Sequence, residues 1–466
     1  MGNALSIGEV ETELLRFEPP APIPKPAPLG TLELLRTLKR NPLECWTKEH
    51  FEKEIVPVDL PFGRAVVVNQ PDAIRRVLIE NQSNYQKDTL QRRVLSAGLG
   101  EGLLSVEGER WRGQRRMLAP LFARRTVLEF SAAMIAAAQA LTTRWSDVSG
   151  SAIDVAAEMT RITLDVLQRT IFSDGLSRNP EEFRLAMGIY FNAIGRIGLL
   201  DLLGAPHFIP RVSQLKVRAT LKFFESAIDE IIAMRLRNPS PQRQAKDILS
   251  LLLNPRDPQT TEGLSEREVR ANILTFIAAG HETTANALTW SFFLLSQAPD
   301  WRALVEAEAH SEMENGAQTT LFDRLVFTRA VIEEAIRLYP PIAAISRVAT
   351  RADILCGEAV RPGTIVVIAP YVLHRHRLLW ERPDAFDPSR FHRDNRDKID
   401  RFAYLPFGAG PRTCIGSSFA LQEAALVLAT IVRAFRFELE PGYPVWPVLR
   451  VTLRPQHGIR MVVTRK

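Results

Sequence analysis

Apolar residues recur at helical spacing along most of this chain, and the places where that spacing fails mark its other elements. From Pro71 onward the helical period dominates. The run Ser265–Gln297 opens on a Ser265/Glu268 capping-box signature behind Pro258 and holds no proline. It can therefore extend for about thirty residues, or ~45 Å at 1.5 Å per residue, enough to cross a domain. A second long run, from about Ser418 to Phe435, is also helical in period. Before Pro71, Ile55–Leu60 and Arg64–Asn69 bracket Pro61-Phe62-Gly63, and Val66, Val67 and Val68 favour strand, which predicts a hairpin. Short strands are expected again after Pro341, in Leu449–Leu453 and in Ile459–Thr464. Pro19–Pro28 is stiff and extended and cannot be helix. With no internal repeat and no second composition regime, the pattern predicts a mostly α protein. Residues 1–30 form a proline-rich lead-in, and 31–466 one large helical domain with a small β-rich lobe.

Composition narrows the class. The 466 residues are 46% hydrophobic, enough for a large core. Cys45, Cys356 and Cys414 are an odd, sparse set that points to a reducing compartment and away from a disulfide scaffold. The net charge of +6 is mild, and no basic run or basic–aromatic stripe suggests nucleic acid. Residues 1–18 carry Glu9, Glu11, Glu13, Arg16 and Glu18, so no apolar stretch there nears the ~20 residues of a membrane span. The basic and apolar regions of a signal peptide are missing as well. Met1-Gly2 with Ser6 fits the myristoylation pattern, which is short and common. The expectation is a cytoplasmic protein with no transmembrane anchor.

Candidate chemistry concentrates in Phe407-Gly408-Ala409-Gly410-Pro411-Arg412-Thr413-Cys414-Ile415-Gly416. Cys414 lies just before a helix N-terminus, where free N–H groups and the helix dipole favour thiolate over thiol. Gly408, Gly410 and Gly416 let the backbone turn tightly beside a flat ligand, and Arg412 offers a fixed cation to an anionic group on it. The bland alternative is an inert cysteine in a capping loop.

Two further segments stand out. Ala278-Ala279-Gly280-His281-Glu282-Thr283-Thr284 places small, acidic and hydroxyl residues inside an apolar helix, where a local distortion is expected. His281-Glu282 opens a zinc-protease-like HExxH, but Ala285 stands where the second histidine is needed, so zinc is excluded. In Glu333-Glu334-Ala335-Ile336-Arg337-Leu338-Tyr339-Pro340-Pro341, Glu334 and Arg337 share a helix face that the two prolines terminate. Pro388-Ser389-Arg390-Phe391 lies downstream, and His374 reads as structural.

Taken together, these segments resemble the cytochrome P-450 family of haem-thiolate monooxygenases, whose haem-binding loop is filled at every fixed position. Haem iron held by a cysteine thiolate is that family's known arrangement, and the resemblance carries it to Cys414, with Phe407, Gly408 and Gly416 shaping the loop. It implies haem b, with Trp111, Arg115, Arg347 and Arg412 meeting its carboxylates. It further implies that Thr283 hydrogen-bonds the oxygen being activated, that Glu282 relays protons, and that Glu334, Arg337 and Arg390 form a buried structural triad. The implied reaction inserts one atom of O2 into an apolar substrate of fatty acid, terpenoid or steroid type. Electrons would come from NAD(P)H through a separate ferredoxin or flavoprotein, and Arg112, Arg116, Arg124 and Arg125 are candidates to receive an acidic carrier. Tyr85–Leu104 and Phe191–Pro210 would wall the pocket. Two other readings are a haem-thiolate isomerase or dehydratase acting on a peroxide, and a non-catalytic haem sensor. Intact Glu282 and Thr283 weigh against the first, and the lack of an effector domain against the second.

Overall fold

The Ser265/Glu268 signature is a formed capping box in the computed structural model of the protein. Ser265 Oγ accepts from the Glu268 N–H, and Glu268 Oε2 accepts from the Ser265 N–H at 3.0 Å. The helix it starts, Glu266–Gln297, runs 32 residues and ends where Pro299 opens the next one. The structure describes residues 17–60, 63–87, 99–172, 180–194, 212–237, 248–253 and 256–466. The myristoylation pattern, the Pro61-Phe62 tip of the predicted hairpin, and most of the two predicted pocket walls lie outside these residues.

The central helix is buried along most of its length. It packs against the helices Val155–Leu167, Val326–Leu338 and Ser417–Ala434, and one continuous apolar core joins all four. Pro340-Pro341 ends Val326–Leu338 as expected. Two helical stretches, Arg124–Ser146 and Ser417–Ala434, are long and apolar enough to cross a membrane by length and composition; both are partly buried inside this fold.

Short sheets complete the molecule. Strands β1 (Ile55–Leu60), β2 (Gly63–Val68), β3 (Tyr85–Lys87), β5 (Ile345–Ala349) and β8 (Ile365–Ile368) form a sheet in the order β1-β2-β8-β5-β3, with β4 (Ala152–Asp154) in a separate sheet. The first sheet covers a second, smaller apolar cluster that includes Val66, Val68, Ile74, Leu78, Val366, Ile368 and Leu405. β6 (Asp353–Leu355) and β7 (Glu358–Val360) form a hairpin, while β4 pairs with β12 (Arg460–Arg465), which also pairs with β9 (Phe435–Leu439). The predicted strand over Leu449–Leu453 is instead a turn between β10 (Pro447–Leu449) and β11 (Leu453–Pro455). Two runs of three residues leave room for a tight reversal there, so alternation alone could not separate strand from turn.

The proline-rich segment is tied down from Phe17 onward. The Tyr339 hydroxyl donates to the Pro20 carbonyl at 2.8 Å, Lys25 bridges to Thr47, and the Phe17 ring meets Phe293 edge-on.

Candidate active site

The cysteine loop closes on itself before the Ser417–Ala434 helix. The Cys414 N–H donates to the Phe407 carbonyl at 2.9 Å, and the Thr413 N–H to the Gly410 carbonyl at 3.0 Å. Gly408 and Gly410 have φ of 70° and 72°, which only glycine adopts freely. At Gly410 a Cβ would fall 2.1 Å from the Leu78 carbonyl oxygen, so the loop passes directly against that backbone. Gly416 differs: it is the N-cap with φ −89°, and the nearest atom to a Cβ there is Phe122 Cδ1 at 4.0 Å. The tight turning expected of three glycines falls on two.

Cys414 is exposed, yet protein encloses it enough for burial to push its thiol up from the ordinary value, with the Gly416 N–H and Arg115 pulling the other way. A side chain both surrounded and accessible opens onto an internal space. Desolvation thus opposes the helix terminus, which favours the thiolate. A metal cation on sulfur deprotonates a thiol outright.

Cations converge beside the loop. Arg412 pairs with Glu107, donates to the Val106 carbonyl at 3.2 Å and sets its guanidinium carbon 3.8 Å from the centre of the Trp111 ring. Trp111, expected to work through its indole N–H, thus meets the cluster with its face, in a cation–π contact. Arg347 is buried on β5 and donates to its own neighbour, the Ser346 carbonyl, at 2.8 Å. Directly across the β3–β5 ladder stands Lys87, whose Nζ lies 3.7 Å from Glu107. Burial, then Arg412, lowers Lys87 to about 8; burial also lowers Arg412 to about 10, despite Glu107. Arg115, half-buried on the Gly108–Leu118 helix, makes no ion pair among the described residues. Three cations, Lys87, Arg347 and Arg412, thus share the Glu107 carboxylate. Sequence reasoning missed Lys87 and Glu107, because neither the cross-strand register nor the loop approach is written in local spacing.

On the central helix the exposure is selective. Ala278, His281, Glu282 and Thr284 are buried, whereas Ala279 is exposed and Gly280 and Thr283 are half-buried. Positions 279 and 283 share a face, so that face is left uncovered by protein. The helix runs unbroken through the cluster, and the expected distortion reduces to Thr283 Oγ1 donating to the Ala279 carbonyl at 2.6 Å. Glu282 points elsewhere, to Thr452 Oγ1 at 2.7 Å. Burial raises its carboxyl above the usual range, with Thr452 and Arg454 opposing. Glu423, fully buried on Ser417–Ala434, is raised further by burial. The Thr284 hydroxyl opposes this, although neither it nor either Glu423 oxygen forms a hydrogen bond of normal geometry among the described residues.

Glu334 and Arg337 are both fully buried and joined by two hydrogen bonds, of 2.6 and 2.8 Å. Arg337 also donates to the carbonyls of His374, Pro383 and Ala385, and Glu334 accepts from the Asp387 N–H at 2.8 Å. Arg390 stands 3.8 Å from Glu334, near enough for charge but not for a hydrogen bond. His374 Nε2 accepts from the Leu405 N–H at 2.8 Å and so holds the strip leading into the cysteine loop.

The donor set fits haem: one soft ligand on an enclosed but accessible face, an uncovered helix face, and cations in excess of carboxylates where haem brings two. A mostly helical fold with a β lobe and a single thiol at such a site defines a haem-thiolate protein. The family model for Cytochrome P-450 matches residues 19–462. The chain is 32% identical over 424 residues to cyclooctat-9-en-7-ol 5-monooxygenase of Streptomyces melanosporofaciens, covering 89% of each. It is 30% identical over 438 residues to pentalenene oxygenase of Streptomyces avermitilis, covering 92% of this chain and 94% of that one. Among solved structures, the cytochrome P-450DA haem domain superposes with a TM-score of 0.83 at 26% identity, over 96% of this chain and 98% of that chain. The chain belongs to the cytochrome P-450 family, whose members carry haem b, and is an oxygen-incorporating oxidoreductase.

Proposed function

We propose that this protein hydroxylates or epoxidises an apolar terpenoid, with Cys414 as the residue that would hold haem b and electrons from NAD(P)H delivered by a separate ferredoxin or flavoprotein. The observation that carries the assignment is the pairing of an enclosed yet accessible Cys414 with Lys87, Arg347 and Arg412 gathered around the lone carboxylate of Glu107. A haem held there would supply oxygen activation, in which a cysteine thiolate favours O–O cleavage, one oxygen atom going to the substrate and the other to water.

The chain's own residues do the rest. Arg412, Arg347, Arg115 and Lys87 bind the two carboxylates, and Trp111 braces Arg412 through its ring. Gly408 and Gly410 keep the loop flat. Ala279 leaves space for oxygen and substrate, whereas a Cβ at Gly280 would meet Leu167 Cδ2 at 3.3 Å. Thr283 orients the oxygen through its hydroxyl, and Glu282 supplies protons. The substrate class rests on relatives named for cyclooctat-9-en-7-ol and pentalenene, and on the apolar Ile342, Ala343 and Ala344 beside the Pro340-Pro341 stop. A carrier would dock near the cysteine loop. Of the basic residues considered for it, Arg116 is committed to Asp257 by bonds of 3.1 and 2.6 Å. Arg112 and Arg124 form only exposed pairs, with Glu109 and Asp323, so they and Arg125 are the better contacts.

The test is the reduced carbon-monoxide spectrum of wild type and Cys414→Ser, followed by turnover of cyclic terpene hydrocarbons with a ferredoxin system. Loss of the thiolate band in the variant and substrate-dependent oxygenated product are expected. An unchanged spectrum would refute the ligand. Rearrangement of an added peroxide without electron uptake would favour the isomerase reading.

A further inference from the structure

The fold treats the two oxygens of Glu282 differently. Oε1 accepts from Thr452 Oγ1 at 2.7 Å and lies 3.7 Å from an Arg454 guanidinium nitrogen. Oε2 is buried and has no hydrogen-bond partner among the described residues. The direction of the chain is fixed by proton counting. Asn286 Nδ2, which can only donate, gives its proton to Thr452 Oγ1 at 3.1 Å. The single hydroxyl proton of Thr452 is therefore left for Glu282.

Thr452 belongs to the turn between β10 and β11, closed by the Arg450 N–H donating to the Thr452 carbonyl at 3.0 Å. The next residue, Leu453, donates its N–H to the Pro341 carbonyl at 2.9 Å, which ties the turn to the segment carrying Ala343 and Ala344. Thr452 is 3% exposed, whereas the Arg454 side chain is 28% exposed. The hairpin thus reaches from a buried carboxyl to the solvent.

We propose that the β10–β11 turn is a positioning element for Glu282, in which Thr452 and Arg454 pin Oε1 and leave Oε2 as the atom that exchanges protons during turnover. This rests on the assignment of Glu282 to proton transfer made above. Neither Thr452 nor Arg454 touches reacting atoms. Each proton that leaves Oε2 is replaced by one drawn from bulk solvent, two for every water formed, and no electron passes through the carboxyl. The charged group facing Glu282 from the hairpin is Arg454. His281, next to it on the helix, has Arg184 as its charged neighbour, and burial lowers it to about 4, so it is neutral. Glu423 interacts with Thr284 and not with Glu282. An Oε1 held by both groups cannot exchange places with Oε2 when the carboxyl ionises, and that is why a hydroxyl is useful at position 452.

The experiment uses the holoenzyme and the variants Thr452→Val, Thr452→Ser, Arg454→Met and Glu282→Gln. The infrared band of the neutral Glu282 acid, identified by its loss in Glu282→Gln, is followed against pH. In parallel, reduced nicotinamide is partitioned between product and hydrogen peroxide. Thr452→Val and Arg454→Met should each raise the band's midpoint by about one unit. Both should also lower coupling, by about fivefold for Thr452→Val, the equivalent of one hydrogen bond. Thr452→Ser should restore both readouts. Wild-type midpoint and coupling in Thr452→Val and Arg454→Met, with Glu282→Gln uncoupled, would overturn the positioning role and spare Glu282. A fully coupled Glu282→Gln would overturn both.

Discussion

Lys87 and Arg347 stand directly opposite each other in the antiparallel ladder of β3 and β5, two buried cations in register. Like charges so placed repel, and among the described residues Glu107 is the carboxylate that answers them. The arrangement makes sense as one half of an ion pair whose other half is the pair of carboxylates on haem.

Lys87→Met and Arg347→Met should therefore each speed haem loss to a scavenging apoglobin by about tenfold, the ~1.5 kcal/mol of a charge-assisted hydrogen bond. The apoprotein should be no less stable than wild type, because one repulsion is relieved. A lower thermal midpoint of apo Lys87→Met would instead make the lysine structural.

The glycines of the cysteine loop should separate sharply. Gly410→Ala meets both a left-handed φ of 72° and a carbonyl oxygen at 2.1 Å, so the loop must move, and purified protein should carry little haem. Gly416→Ala, at φ −89° with nothing closer than 4.0 Å, should cost under about 1 kcal/mol and keep full haem content. The ratio of haem absorbance to protein absorbance decides the matter.

Breaking the buried Glu334–Arg337 pair should be far more damaging than breaking any surface pair. Glu334→Ala leaves Arg337 charged and buried against three carbonyls, a loss of roughly 3–5 kcal/mol. Arg390→Met, removing a partner at 3.8 Å, should cost about 1 kcal/mol. Denaturant midpoints of the two holoenzymes provide the check; equal losses would mean that Arg390 is a full member of the triad.

An acid limb is expected from Glu268. Burial works to raise its carboxyl, but hydrogen bonds from Ser265, Gln114 and Arg110 prevail and hold it at about 2, below the ordinary 4.5. The folded state thus binds fewer protons than the unfolded one between those values. Its contribution is present above pH 4.5 and lost as the pH falls toward 2. Glu268→Gln keeps the capping box and removes the titration, so thermal midpoint against pH should fall less steeply across that window than in wild type.

Much of the site was legible because its signals are local. A capping box spans four residues, a proline pair stops its own helix, and the cysteine loop carries its chemistry within ten positions. What escaped was set by distant partners. Lys87 and Glu107 carry no motif. Thr452 sits in a turn that alternation misread as strand, and Glu423 hides in an ordinary apolar helix until its lack of a partner shows in three dimensions.

The sequence by itself determined the family, the candidate ligand cysteine, the long central helix and the small–acid–hydroxyl cluster at its middle, because each depends on side chains within a turn or two of one another. Tertiary structure decided three things. Register brought Lys87 against Arg347; enclosure set burial of the Cys414 thiol against the pull of the Gly416 N–H and Arg115; and a remote turn claimed one oxygen of Glu282. All three depend on burial and on contacts between segments far apart in the chain, and a one-dimensional pattern carries neither.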